Sequence, residues 1–405
     1  MPGYGARYWA ERTPASRRPT YPAFRGDHRA DVVVIGGGLV GATAAYVLAK
    51  GGLDVVLLES ERIAGGSTAL GLGVILPEPD AWFREVEAAA GVRLARAAWQ
   101  DARRSALDMA SLLKRLKARA DLTASPLVIA ESTGTDAATL RREQAARKAA
   151  GLDAPWMTAA AASLATGTAT SGAMRLRDGF TYDPVRATIA LMKAAAGAGA
   201  RVFEKSPVKR TRFTRKTADV LTATGSIRAR GIYVATGRPG AVFRQLERHV
   251  TDRQAFAVVT EPLSAAMRRE AGRRDAVVRE TEAGGHWLRW LPEDRALFGG
   301  AVSAPVGGRQ LDKVLVQKTG QLMYELSVRY PAISGLPAHW AWPVPVISTS
   351  DGLPWIGAHR NYPFHFFAMA FGWHADGLAW FAAKAALRHF TNDAQRQDQT
   401  FGFLR

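Results

Sequence analysis

The chain has 405 residues, enough for about two cores, and its 47% hydrophobic and 22% charged residues have the balance of a globular protein. It contains no cysteine, which excludes disulfides, iron–sulfur ligation, thiolate zinc sites and a flavin attached through cysteine. Lys and Arg number 54 against 36 Asp and Glu, a net charge of +18; such a surface attracts polyanions, but no recognisable nucleic-acid module accompanies it.

Residues 1–29 are polar, basic and Pro-rich, with no apolar core of a secretory signal. No apolar run is long enough to cross a membrane. Together these favour a cytoplasmic protein.

Asp31 to Ile35 reads DVVVI, a buried strand of a parallel sheet. Gly36-Gly37-Gly38-Leu39-Val40-Gly41 follows, then the helix-forming run Ala42 to Lys50. Asp54 to Leu58 is a second strand, with Glu59 at its end. The glycines differ in role. Gly36 permits the tight turn, Gly38 leaves room for a pyrophosphate, and Gly41 lets helix and strand pack closely. Gly37 shares the loop. The first helical turn then offers N–H groups to phosphate, and Glu59 is placed to accept from ribose hydroxyls. The full order of strand, glycines, helix, strand and acid predicts a dinucleotide site.

Farther along, Ala81 to Ala118 reads as one long amphipathic helix. Leu127 to Ile129 and Ala276 to Val278 read as short strands. Gly284 to Leu291 and Arg295 to Phe298 read as a pair around Pro292-Glu293-Asp294. Lys205, Lys209, Arg210, Arg212, Arg215 and Lys216 read as an exposed basic hairpin. No internal repeat, Ser-His-Asp order, HExxH helix or P-loop is present, and the eight histidines have no metal-ligand spacing.

Four further segments carry a resemblance to the glycine oxidase and D-amino-acid oxidase superfamily of FAD enzymes. Residues 60–74 resemble its second FAD-contacting segment, which assigns Ser60, Ser67, Thr68, Gly71, Gly73 and Val74 to the cofactor. Residues 201–208 resemble its third strand, ending in Val208 beside the adenine. Residues 232–237 resemble the strand that returns to the dinucleotide at Thr236 and Gly237. Residues 351–357, DGLPWIG, precede Gly372-Trp373-His374-Ala375-Asp376-Gly377-Leu378, which resembles the glycine loop opening the family's last helix. That places Gly372, Gly377 and Leu378 at the flavin, where the helix dipole supports negative charge. Tyr8-Trp9, residues 260–263 and residues 295–300 lean toward the γ-glutamylputrescine oxidase-like branch.

The resemblance implies a FAD-binding, Rossmann-like domain of glutathione-reductase type, plus an α+β substrate domain with an antiparallel sheet. The FAD domain would be discontinuous, over 28–76, 160–237 and 345–395. The substrate domain would take 77–159 and 238–344, with 1–27 as a lead-in. It implies oxidation of a C–N bond in an amine or N-substituted amino acid, by hydride transfer to flavin, giving an imine that hydrolyses. His286, Trp287, Trp373 and His374 are the expected catalytic residues, with Arg289 as substrate anchor. Two departures matter. The family's carboxylate-binding arginines fall at Val346 and Ala375, so a plain α-amino acid is disfavoured. The position of histidyl flavin attachment falls at Leu70, which implies noncovalent FAD. Asp376 stands where many relatives of the polyamine branch carry histidine. A small-molecule amine is the expected partner and molecular oxygen a candidate acceptor. A nucleic-acid partner is disfavoured but open. The competing readings are a flavoenzyme acting on a modified tRNA base and a FAD-binding subunit of a larger complex.

Overall fold

The computed structural model describes residues 3–131, 137–281, 285–373 and 376–405. The apolar runs read as buried strands build one sheet. From its edge, Arg201–Phe203, Val55–Leu58, Gly26–Ile35 and Gly225–Gly237 lie side by side and parallel. Gly225–Gly237 then forks. Its first half pairs with the hairpin Ala218–Leu221 and Arg210–Phe213, its second half with Tyr362–Met369, which pairs in turn with Trp355–His359. Val32, Val34, Val55 and Leu57 face one layer and Val33, Val56 and Leu58 the other, so both faces are covered, as an all-apolar parallel strand requires. Helices Leu39–Lys50, Pro184–Gly197 and Ala379–Phe390 pack together on one face.

A second sheet has nine strands. In order they are Gly3–Tyr4, Ala338–Ser348, Thr251–Thr260, Arg295–Ser303, Trp287–Leu291, Val277–Glu280, Leu127–Ala130, Ala173–Leu176 and Trp156–Met157. The expectation of an antiparallel sheet holds except at two joints, Gly3–Tyr4 with Ala338–Ser348 and Leu127–Ala130 with Val277–Glu280, which are parallel. The alternation of a strand sorts its side chains between faces. Trp287, Leu291, Leu297 and Val344 face the cofactor body. Leu288, Phe256, Val258 and Phe298 face the helix Arg309–Arg329.

Three expectations are corrected. Residues 81–118 form two helices, Phe83–Ala90 and Val92–Arg115, because Gly91 takes φ 83°, outside any helix. Residues 160–176, expected in the FAD domain, belong with the nine-stranded sheet, since Ala173–Leu176 pairs with Leu127–Ala130. The N-terminus is more than a lead-in: Gly3–Tyr4 extends the nine-stranded sheet, and Tyr8 and Trp9 are fully buried. Among the described residues no helix is long and apolar enough to cross a membrane, and no group of three His, Asp or Glu could hold a metal ion.

Candidate active-site cleft

A cleft of about 420 Å³ runs from the first βα turn to the loop before the last helix. At one end, Gly36 turns at φ 109°, and a Cβ there would lie 2.5 Å from Ala235 O. A Cβ on Gly41 would lie 1.9 Å from Gly36 O, so the helix meets the turn only because residue 41 has no side chain. Gly37 N–H donates to Glu59 Oε2 at 2.6 Å, and Ser60 Oγ donates to Glu59 Oε1 at 3.1 Å. Leu39 N–H donates to Thr68 Oγ1 at 3.0 Å, tying the second segment to the helix N-terminus. A Cβ on Gly38 would approach that same oxygen to 3.0 Å. Gly36, Gly37, Gly38, Glu59, Ser60, Ser67, Thr68, Gly71, Val208, Thr236, Gly237 and Gly372 all line the cleft. A glycine floor opening on a helix N-terminus, with a carboxylate at the second strand's end, fits a dinucleotide.

The other assigned residues stand behind this lining. Gly41 packs helix on strand. Val74 is buried in a short strand against Thr181. Leu378 is buried, and Gly377 lies against Leu76 O. Gly73 belongs to a run of four backbone carbonyls fixed by three side chains. Trp342 Nε1 donates to Leu70 O at 3.0 Å and Trp9 Nε1 to Gly71 O at 2.8 Å. Arg289 Nη1 donates to Leu72 O at 2.8 Å, to Gly73 O, and to Tyr182 O at 2.9 Å.

Arg289 is therefore corrected from substrate anchor to a buried clamp on the cleft's floor. It lies under Trp9, 4.9 Å from the ring centroid, and is absent from the lining. Burial lowers it to about 10, still protonated at neutral pH. His286 is also corrected. It directly precedes the strand Trp287–Leu291 and lies on the opposite side of the sheet from Trp287. His286 stacks on Phe298 at 4.8 Å, and its ring nitrogens meet Glu280 at 2.6 Å and Glu325 at 2.7 Å. Trp287 and Trp373 are on the cleft side. Trp287 is paired with Gly299, and a Cβ on Gly299 would touch Trp373 at 3.3 Å. Among the described residues of the expected catalytic set, only Trp373 lines the cleft itself. The expected site at His374 lies outside the described residues.

Sequence reasoning missed the residues that hold this end. Asp80 Oδ2 accepts from Trp373 N–H at 2.7 Å, and a Cβ on Gly372 would collide with its carboxylate. Arg279 reaches Asp80 at 3.7 Å and Glu78 at 3.4 Å, with its guanidinium 4.6 Å from the Trp82 ring and 5.1 Å from Trp287. Asp376 lines the cleft beside Trp373. Burial, opposed by Tyr182 and Arg289, raises its carboxyl to about 7. Burial, and then Asp376, push the Tyr182 phenol well above its usual range. Asp80, Glu78 and Arg279 meet only through the fold and leave no local signal. Tyr182 lies in the TYDP segment that signals a helix start, and Asp183 does cap Pro184–Gly197.

Comparison with known proteins fits this geometry. The sequence model of the family described as DAO, FAD dependent oxidoreductase, matches residues 31–388. The probable oxidoreductase OrdL of Haemophilus influenzae is 21% identical over 384 residues, 93% of this chain and 86% of that one. Gamma-glutamylputrescine oxidoreductase of Escherichia coli is 24% identical over 376 residues, 91% of this chain and 85% of that one. The crystal structure of glycine oxidase from Geobacillus kaustophilus superposes with a TM-score of 0.76 at 20% identity, over 93% of this chain and 99% of that one. That last likeness establishes a shared fold.

Proposed function

This chain belongs to the family of FAD dependent oxidoreductases, and from that premise we propose that it oxidises the C–N bond of an amine or N-substituted amino acid with noncovalent FAD. One observation carries the reading: the far end of the dinucleotide cleft is lined by the indole of Trp373, with Trp287 behind it across Gly299 and Arg279 lying between the rings of Trp287 and Trp82.

The bound flavin supplies the hydride acceptor. The chain supplies everything else. Gly36, Gly38 and the N-terminus of Leu39–Lys50 hold the pyrophosphate. Glu59 accepts from the ribose hydroxyls, and Val208 flanks the adenine. Asp80 fixes the Trp373 backbone, so the indole stays where the substrate carbon must come. An amine of Lys-like basicity needs about 4 kcal/mol to become neutral at pH 7. Desolvation of the substrate nitrogen in the cleft lowers that cost by disfavouring the cation. The resulting imine hydrolyses once it meets water. Val346 is buried in the strand Ala338–Ser348 and offers no guanidinium to a carboxylate, which favours amines over plain α-amino acids.

The test is the visible spectrum before and after acid precipitation, then anaerobic bleaching with matched panels of amines and amino acids. Flavin bands that pass to the supernatant, and bleaching by amines first, are the expected results. A protein that takes up no FAD would sink the proposal. Bleaching by simple α-amino acids alone would overturn the substrate class.

A further inference from the structure

The redox end of the cleft holds one carboxyl group that the reaction above does not use. Among the described residues the cleft has two acids in its lining, Glu59 beside the glycine turn and Asp376 beside Trp373. Glu59 is engaged by Gly37 N–H, Ser60 and Glu61 N–H. Asp376 instead faces a buried phenol and a buried guanidinium. Tyr182 is wholly buried and Arg289 is 4% exposed. Among the described residues, the Tyr182 hydroxyl and Arg289 Nε have no hydrogen-bond partner of ordinary geometry, and Asp376 is the acid that acts most strongly on that phenol.

The neighbours of Asp376 can be named from each element. The Phe180–Thr181 strand and its following turn bring Tyr182 and Asp183. The Trp287–Leu291 strand brings Arg289. Behind them, Tyr8 and Arg12 act on Arg289. The helix Val92–Arg115 presents Ala106 near Gly377, and the strand Val74–Ile75 is apolar. Among the described residues, Asp376 thus meets one cation, already shared among three carbonyls, and one neutral donor.

We propose that Asp376 is a proton store for the flavin: its carboxylate takes one proton from solvent when the ring gains negative charge and returns it when that charge leaves, with Tyr182 and Arg289 as positioning residues. This rests on the FAD reading above. The balance is simple. The substrate hydride delivers two electrons and leaves one negative charge on the ring system. An ionised Asp376 would add a second negative charge beside the first, and neighbouring like charges disfavour each other's ionised form. Uptake of H⁺ by its Oδ atoms cancels that repulsion, and no electron passes through the residue. Reoxidation reverses the transfer. With the resting group titrating at about 7, uptake is visible above that pH and vanishes below it, where the proton is already bound.

The experiment is the midpoint potential of bound FAD from about pH 6 to about pH 9, in wild type, Asp376→Asn and Tyr182→Phe. Wild type should fall more steeply above neutrality than Asp376→Asn, by the equivalent of one proton per two electrons. Tyr182→Phe removes a group that holds the carboxyl down, so its break should move to higher pH. Reduced-minus-oxidised infrared spectra at alkaline pH should show a protonated carboxyl band that Asp376→Asn lacks. FAD-loaded proteins with identical slopes, and no such band, would overturn the proton store alone. Failure of the wild type to hold FAD would overturn the cofactor reading and this inference with it.

Discussion

At the scale of single residues, the glycines of the first βα turn separate into fold and site. Gly41 faces backbone, and an added Cβ would sit 1.9 Å from Gly36 O. Nothing flexible can yield there, so Gly41→Ala should destabilise by about 3 kcal/mol and strip the flavin bands from the purified protein. Gly38 faces a side-chain hydroxyl at 3.0 Å, which can rotate. Gly38→Ala should melt near the wild-type temperature yet bind FAD more weakly, as read by fluorescence titration. A second prediction concerns Trp9. Its indole satisfies Gly71 O, and a buried carbonyl left without a donor costs about 1–3 kcal/mol. Trp9→Phe should therefore weaken FAD binding by about tenfold; unchanged affinity would show that Arg289 and Trp342 suffice to hold the segment. The glycine roles are legible in the sequence because strand, turn and helix lie within one short stretch of chain. The expectation at His286 fails for a reason the sequence does contain: on the strand read over Gly284 to Leu291, neighbours cannot share a face, so His286 and Trp287 could not both reach the cleft. The expectation at Arg289 fails for a reason it does not contain. Its partners are carbonyls of residues 72, 73 and 182, and a backbone acceptor leaves no trace in side-chain identity.

At the scale of elements, the legible parts are those with a local period or a local cap. The parallel strands announce themselves as unbroken apolar runs, and the helix Pro184–Gly197 by Asp183 and Pro184. The long helical reading of 81–118 fails at one residue. The apolar spacing continues through Gly91, but its φ of 83° turns the chain, so Phe83–Ala90 and Val92–Arg115 pack as a pair. A mid-helix glycine and a hinge glycine look alike in sequence. Substitution distinguishes them cleanly, because neither Gly91 nor Gly197 has an atom within 4 Å of its added Cβ. Of these two, Gly91 alone has positive φ. Gly91→Ala should cost about 1–2 kcal/mol, a drop of about 1–2 °C in Tm. Gly197→Ala, at the end of its helix, should be neutral or gain up to about 1 kcal/mol. Equal shifts in the two variants would mean that the hinge carries no strain. The strand Ala173–Leu176 belongs to a different body from the one expected because pairing across the nine-stranded sheet joins residues far apart in sequence, and only burial of its neighbours decides where it goes.

At the scale of the whole molecule, charge sets how the protein responds to its medium. The basic run 205–216 lies at an exposed edge of the cofactor sheet, with Arg210, Arg212, Arg215 and Lys216 lying along it. Any polyanion affinity of this face should fall steeply with salt, and retention of tRNA binding at physiological ionic strength would revive the reading as an RNA-modifying enzyme. Within the folded body the titration of two acids runs in opposite directions. Glu280 is opposed by burial but more strongly favoured by His286 and Arg329, and stands at about 2. Its folded value is below the unfolded one of about 4.5, so its stabilisation is present above that pH and is lost as pH falls toward 2. Asp376 is the reverse case. Its folded value of about 7 exceeds the unfolded 3.8, so the folded chain holds a proton that the unfolded chain has released. Stability from this group must then decline as pH rises from about 4 to about 7 and stay level above. Each contribution is on the order of 3 kcal/mol. Denaturation of wild type and Asp376→Asn across this range isolates the second: the wild type should lose stability relative to the variant as pH rises. Parallel curves would mean that Asp376 is ionised throughout, and that Arg289 alone compensates its charge. Glu280→Gln supplies the opposite slope, with the wild type losing its advantage below about pH 4.5. The two acids differ because one meets Arg329 and His286 on the helix-covered face, while the other meets a phenol and an arginine committed to carbonyls. The same excess of arginine therefore stabilises one carboxylate and leaves the other ready to take a proton.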